Sequence, residues 1–276
     1  MKQDHTKILT LKELFAMVDD IRKNPWDYRR EPFQILDNIY YVGNAWVGAY
    51  LIDTGEGLIL MDSNFDEVIW MLFENIRKVG FEPEDIKLLL LSHGHFDHIG
   101  GARYVQELSD CKIYFPKGDL FMLNERRDLL QGHVADFRID DFYNYDETIT
   151  LGNTTIQPLH TPGHTAGCTS FCFNSNYKGK KYRVASHGGL GKNGLSRKEL
   201  QDSGLMVDLQ KQYLESLEAM AGLPVDVFIP NHNSYFDIFS LADQNPGDHA
   251  AFIRPDAWRT VMQGRYRDFM TFLEQG

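Results

Sequence analysis

The stretch Leu88–Gly101, LLLLSHGHFDHIGG, constrains this chain more than any other. Leu88 to Leu91 form an apolar run of the length of a buried strand, and it stops abruptly at Ser92 and a Gly-containing segment holding His93, His95, Asp97 and His98. A strand therefore delivers metal-type side chains to a loop. Imidazole nitrogen and carboxylate oxygen are donors that Zn²⁺ and its borderline neighbours accept, and four of them within six residues cannot all reach one ion with relaxed geometry. Two adjacent metal positions fit better. A lone His beside a strand is more often packed or solvated than a ligand. A loop this dense in titratable groups gains nothing from an apolar core, so an ion is its natural partner.

The 276 residues suffice for one large domain or two small ones and can bury a substantial core. With 43% apolar and 24% charged residues the composition is that of a globular chain, not a disordered or membrane-embedded one. A formal charge of −11, with no long Lys/Arg block, argues against a nucleic-acid partner, because a phosphate backbone needs a basic face. No apolar stretch of signal-peptide length follows the first lysines, and no segment approaches the roughly 20 apolar residues of a membrane span. These features predict a cytoplasmic protein without a membrane partner. Cys111, Cys168 and Cys172 are an odd count with no C-x-x-C pair, so reduced thiols are expected.

In chain order, residues 8–23 have helical apolar spacing, with Thr10 as a cap and Glu13 three positions later, and predict a peripheral N-terminal helix within residues 1–30. IYYVG, AYLIDTGEG and LILMDS then read as an antiparallel meander. Asp62 ends its third strand, where it can cap the strand, touch a metal directly or brace the histidine loop from behind. Residues 66–79 read as a helix, 86–91 as the strand that feeds the loop, Gly100–Leu108 as a helix and 112–116 as a strand. This alternation is an α/β half that needs helices on the outer face of its sheet. The segment Lys117–Asp146 is less legible: a helix over Leu120–Leu130, then a mixed stretch in which His133 has no metal-type neighbours and reads as a surface or pocket-rim residue.

From Thr148 the β pattern returns as TITLG and TTIQPLH, and it runs into His160-Thr-Pro-Gly-His164-Thr-Ala-Gly. CTSFCF and KKYRVASHGG are further strands, the latter ending at Ser186-His187. A helix at about 207–221 precedes the apolar strand VDVFIP, which stops at Asn231-His232-Asn233, and WRTVMQGRYRDFMTFLEQ closes the chain as a helix. Several strand ends thus release a His into a turn. No low-complexity linker interrupts them, so a single domain over 1–276 is expected.

His93-x-His95-x-Asp97-His98, with His164 in HTPGHTAGCTS and His232 after VFIP, resembles the metallo-β-lactamase superfamily from about Phe33 to the last helix. The resemblance is closest to the third subclass of metallo-β-lactamases, whose second zinc is held by Asp and two His. It implies an α/β fold, a four-layer αβ/βα sandwich of two mixed sheets flanked by helices, with the metals in a cleft at one edge. It further implies that His93, His95 and His164 hold one zinc and that Asp97, His98 and His232 hold the other. Three imidazoles with an open position are independently a catalytic zinc set.

One departure concerns the strand RVAS. Many superfamily hydrolases place a metal-bridging Asp at its end, where this chain has Ser186-His187. His187 can therefore be a ligand, a substrate-pocket residue or a structural one, and the substrate role is expected because the second set already has three ligands. The activity implied is a two-zinc hydrolase that opens a β-lactam or similar activated acyl bond of a small molecule, with Asp97 aiming the attacking water. The absence of an export signal suggests a cytoplasmic lactonase or thioesterase of the same fold as the alternative.

Overall fold

The computed structural model describes residues 11–205 and 208–275. Helix α1 (Leu11–Lys23) opens it. The Thr10 cap expected for α1 lies outside the described residues. Strands β1 (Phe33–Leu36), β2 (Ile39–Tyr41), β3 (Tyr50–Asp53) and β4 (Leu58–Met61) form the antiparallel meander. Helix α2 (Ile69–Lys78) then crosses over to β5 (Ile86–Leu90), which pairs parallel with β4. After α3 (Phe96–Ile99) and α4 (Ala102–Ser109), β6 (Lys112–Phe115) extends the parallel part, and β7 (Asp141–Phe142) completes a seven-stranded sheet in the order β1 to β7. Between β6 and β7 lies α5 (Leu120–Asn124).

The second sheet has five strands in the order β12-β11-β10-β9-β8. Its members are β8 (Ile149–Leu151), β9 (Thr154–His160), β10 (Thr169–Tyr177) and β11 (Lys180–Ser186), all antiparallel, with β12 (Val227–Phe228) parallel to β11. Helices α6 (Arg197–Ser203) and α7 (Asp208–Ala221) lead to β12, and α8 (Ile238–Gln244) and α9 (Ala257–Gln275) end the fold. Both sheets are mixed.

The apolar runs are explained by burial on both faces. Successive strand residues point to opposite sides. Leu58, Leu60, Leu89 and Leu91 face a core shared with α1, α2 and α4, while Ile59, Met61 and Leu90 face a second core shared with Phe171, Phe173, Val184 and Val227 of the other sheet. Ala185 and Phe228 face a third core built with Leu217, Trp258 and Phe269 of α7 and α9. Three cores separate four layers, helices, sheet, sheet and helices, as the resemblance implies. A strand buried on both sides reads as a continuous hydrophobic run, which is why LLLL carries no alternation.

Three expectations are corrected. The helix over Leu120–Leu130 stops at Asn124 and resumes as a short 3-10 turn at Arg127–Leu130. Arg126, at the break, turns out to bond both Asp128 oxygens and the Ser203 carbonyl. The strand VDVFIP pairs only over Val227–Phe228, with one further bond from the Ile229 N–H to the Ala185 carbonyl (3.0 Å), because β11 itself ends at Ser186. α6 and α8 were not foreseen, although Ser196 and Glu199 form a complete capping box, a signal present in the sequence.

Candidate metal centre

The parallel pairing of β4 and β5 ends both strands at one edge, with Met61 opposite Leu90. That register sets Asp62 beside Ser92, and Asp62 N–H donates to the Leu90 carbonyl (3.0 Å). The loop then turns into α3, so His93 and His95 precede the helix and Asp97 and His98 lie inside it. Close approach of this turn to residue 63 requires Gly101, where an added Cβ would stand 2.2 Å from the Ser63 carbonyl oxygen.

The second sheet supplies the rest at the same edge. β9 releases His164, and β12 leads to His232, which forms an isolated bridge with Val47 in the connection between β2 and β3. Thr169 N–H donates to the Ser92 carbonyl (2.9 Å), joining the sheets beside the loop.

The six donors fall into two groups, His93–His95–His164 and Asp97–His98–His232, each with its ligand atoms within 4.8 Å of one another. His95 Nδ1 is 3.1 Å from His93 Nε2 and 3.0 Å from His164 Nε2. In the second group His98 Nε2 is 3.2 Å from His232 Nε2, and Asp97 Oδ2 is 3.5 Å and 3.4 Å from those two nitrogens. Ligands about 2.0–2.1 Å from a tetrahedral zinc lie roughly 3.3 Å apart, so the donor set fits that ion twice. The rings of His93 and His98 are 4.2 Å apart, which makes the groups neighbours.

Each imidazole is also held from behind. His93 Nδ1 meets the Ser92 hydroxyl (3.1 Å), and His164 Nδ1 donates to the Gly191 carbonyl (2.9 Å). His232 Nδ1 contacts the Trp46 carbonyl (3.2 Å), and His95 Nε2 contacts Gln131 (3.2 Å). His98 Nδ1 donates to Asp62 Oδ2 (2.7 Å), while Ser92 N–H and Oγ–H donate to the two Asp62 oxygens (2.7 and 2.8 Å). Of the three roles open to Asp62 the structure places it behind the loop, with both oxygens engaged there. Such outer contacts fix the tautomer and the aim of a ligating ring.

The electrostatics follow from burial and from this crowding. Burial, then the neighbouring imidazoles, pushes His93 well below its ordinary value, and burial does the same for His164. His95 is pushed down to about 4, chiefly by burial. Burial also works against His98, but the Asp97 and Asp62 carboxylates outweigh it and hold that ring above its ordinary value. Burial pushes the Asp97 carboxyl up, whereas His98, His232 and His95 together hold it below the usual carboxylate range.

His187 and Ser186 lie elsewhere. His187 is 1% exposed, its Nδ1 accepts from the Gly189 N–H (3.1 Å), and its ring lies 6.3 Å from that of Trp258 in α9. Among the described residues its Nε2 has no hydrogen-bond partner, and burial pushes the ring down to about 3. It stands in neither donor group. Ser186 is buried at the end of β11, and neither group includes it. His133 is an exposed residue paired with Asp66, as a surface position should be. A cleft of about 300 Å³ opens beside His95 and His164, walled by Phe121, Met122, Leu129, Leu205 and Leu209.

Residues 47–176 match the metallo-β-lactamase superfamily. The chain carries a metallo-β-lactamase superfamily domain. Its structure superposes on a subclass B3 metallo-β-lactamase of Bradyrhizobium japonicum with a TM-score of 0.81 at 27% identity, covering 91% of this chain and 96% of that one. The lactamase-like protein aptB of Emericella nidulans is 30% identical over 68% of this chain, a match that spans 51% of its own length. An N-acyl homoserine lactonase of Bacillus cereus is 26% identical over 49% of this chain and 61% of its own. The chain thus spans about half the length of the first of these curated relatives. Among the described residues no helix is long and apolar enough to cross a membrane.

Proposed function

We propose that this metallo-β-lactamase-like chain is a dinuclear zinc hydrolase that opens a β-lactam or a similarly activated acyl bond. The observation that carries the reading is the pair of adjacent three-donor groups with the spacing of tetrahedral zinc ligands. His93, His95 and His164 would hold one ion, and Asp97, His98 and His232 the other. When bound, zinc supplies Lewis acidity that lowers the pKa of water to about 7 and polarises a carbonyl. Asp97 turns Oδ2 to His98 and His232, and Oδ1, which no described residue engages, is left to accept a hydrogen bond from the attacking water. Ser92 and Asp62 hold the His93 and His98 rings in place while it does so.

No side-chain nucleophile is required. Burial pushes the Cys168 thiol up to about 12 and raises Cys111 and Cys172, so none of them is a thiolate at neutral pH. Because the donors come from both sheets, which share the central core, the whole chain reads as one catalytic unit.

The cleft favours a second reading, hydrolysis of a lactone with an apolar acyl chain. Its exposed surface is mostly apolar although Asp128, Glu199 and Asp202 also line it, and among the described lining residues Arg126 is the lone cation, already engaged by Asp128 and the Ser203 carbonyl. β-Lactams and glutathione thioesters carry carboxylates that seek a free cation. A panel assay of the zinc-loaded protein on a penicillin, a carbapenem, an acyl-homoserine lactone and a glutathione thioester separates the readings. Turnover of the β-lactams supports the first, turnover confined to the lactone supports the second, and no turnover by protein holding two ions overturns both.

A further inference from the structure

Asp119 joins the two loops that carry the first donor group, although it touches none of the donors. It ends the short turn Lys117–Asp119 after β6 and is completely buried. Its Oδ2 accepts from the backbone N–H of Gly94 (2.8 Å) and from the Thr165 hydroxyl (2.7 Å), and its Oδ1 accepts from the N–H of Gly167 (2.7 Å). Gly94 lies between His93 and His95, and Thr165 follows His164. One carboxylate therefore binds the Gly94 and Gly167 backbone and the Thr165 hydroxyl, joining loops from both sheets beside the three imidazoles.

The fit is close enough to exclude side chains around it. A Cβ at Gly167 would stand 2.7 Å from Asp119 Cγ, and one at Gly118 would stand 2.8 Å from the Gly167 Cα. No Lys or Arg among the described residues pairs with Asp119. Burying a carboxylate without a cation is unfavourable even with three donors, and burial pushes this one up to about 6. An apolar side chain could occupy the space without that cost, so what the position supplies is the set of acceptors. The second donor group has a comparable brace in Asp62, which reaches His98 directly.

We propose that Asp119 is a positioning residue for the His93–His95–His164 group, fixing the two loops at the separation that lets three imidazoles share one divalent ion. This rests on the reading of that group as a metal site. Asp119→Asn keeps the volume but replaces one acceptor oxygen by an NH₂, which meets a donor N–H in either amide orientation. Thr165→Val removes one of the three bonds and leaves the carboxylate in place.

The test titrates Zn²⁺, and Co²⁺ in parallel, into metal-free wild type and both variants against a chromophoric chelator. In Asp119→Asn one equivalent should weaken by about 10- to 100-fold with a changed Co²⁺ ligand-field spectrum, while the other stays within about two-fold of wild type. Thr165→Val should weaken the same equivalent by less. Unchanged affinity for both equivalents overturns the proposal, and equal weakening of both overturns it too, because it marks a general structural role. If Asp119→Asn does not fold, Thr165→Val decides by the same criterion. A wild type that takes no ion overturns the metal reading itself, whereas a wild type that takes two beside an unaltered Asp119→Asn overturns only the role of Asp119.

Discussion

Asp97 is the single carboxylate among the six donors, and its charge is held in place by the imidazoles around it. Asp97→Asn keeps the size but loses the charge, so hydrolysis should fall on the order of 10²-fold, with far-UV circular dichroism unchanged. Wild-type turnover in that variant would refute its role. His187 is packed against Trp258 in the outer core, not in a donor group. His187→Ala should therefore retain two equivalents of metal and lose about 2 kcal/mol of stability through the cavity it leaves, as read by urea unfolding. Loss of one equivalent would make it a ligand after all. Asp119 adds a pH dependence to the metal-free protein. Its folded value of about 6 lies above the ordinary 3.8, so the folded state binds the proton more tightly. The stabilisation is complete below about pH 4 and lost as pH rises to about 6, by about 3 kcal/mol at 1.36 kcal/mol per unit. Relative to Asp119→Asn, wild type should lose that much between pH 4 and pH 7 in urea unfolding.

Among the elements, the strands of the two-sided sheets were the most legible, because burial on both faces leaves uninterrupted apolar runs of strand length. Short helices were less so. α5 ends where Arg126 finds partners in Asp128 and in Ser203, a residue 77 positions further along, and no local pattern encodes that. α9 is the opposite case: its periodic sequence reads as a helix, but its importance comes from what it covers. Trp258, 1% exposed, donates to the Met220 carbonyl (2.7 Å) and packs edge-on against Phe228. Trp258→Ala should cost about 3–5 kcal/mol while leaving metal stoichiometry intact. A cost under about 1 kcal/mol would show that α9 is dispensable to the second sheet.

For the molecule as a whole, three cores carry the fold and the donor groups sit at its edge. Purified protein should hold close to two divalent ions per chain by elemental analysis. Chelation should remove both with little change in circular dichroism, and His93→Ala with His164→Ala should remove one ion and spare the other. Unfolding on chelation would mean that the ions, not the cores, hold the sheets together. The sequence by itself determined the two-sided strands, the four donors of the His-x-His-x-Asp-His loop and the later histidines at strand ends, because strand period and donor chemistry are local properties of the chain. Only the tertiary structure shows that the six donors lie in two adjacent groups, that Asp62 stands behind the loop, that the His187 ring lies near Trp258, and that Asp119 bonds Gly94, Thr165 and Gly167 beside the first group. Each of those depends on register between strands and on backbone contacts across two sheets, which residues far apart in the chain acquire only once the layers have packed.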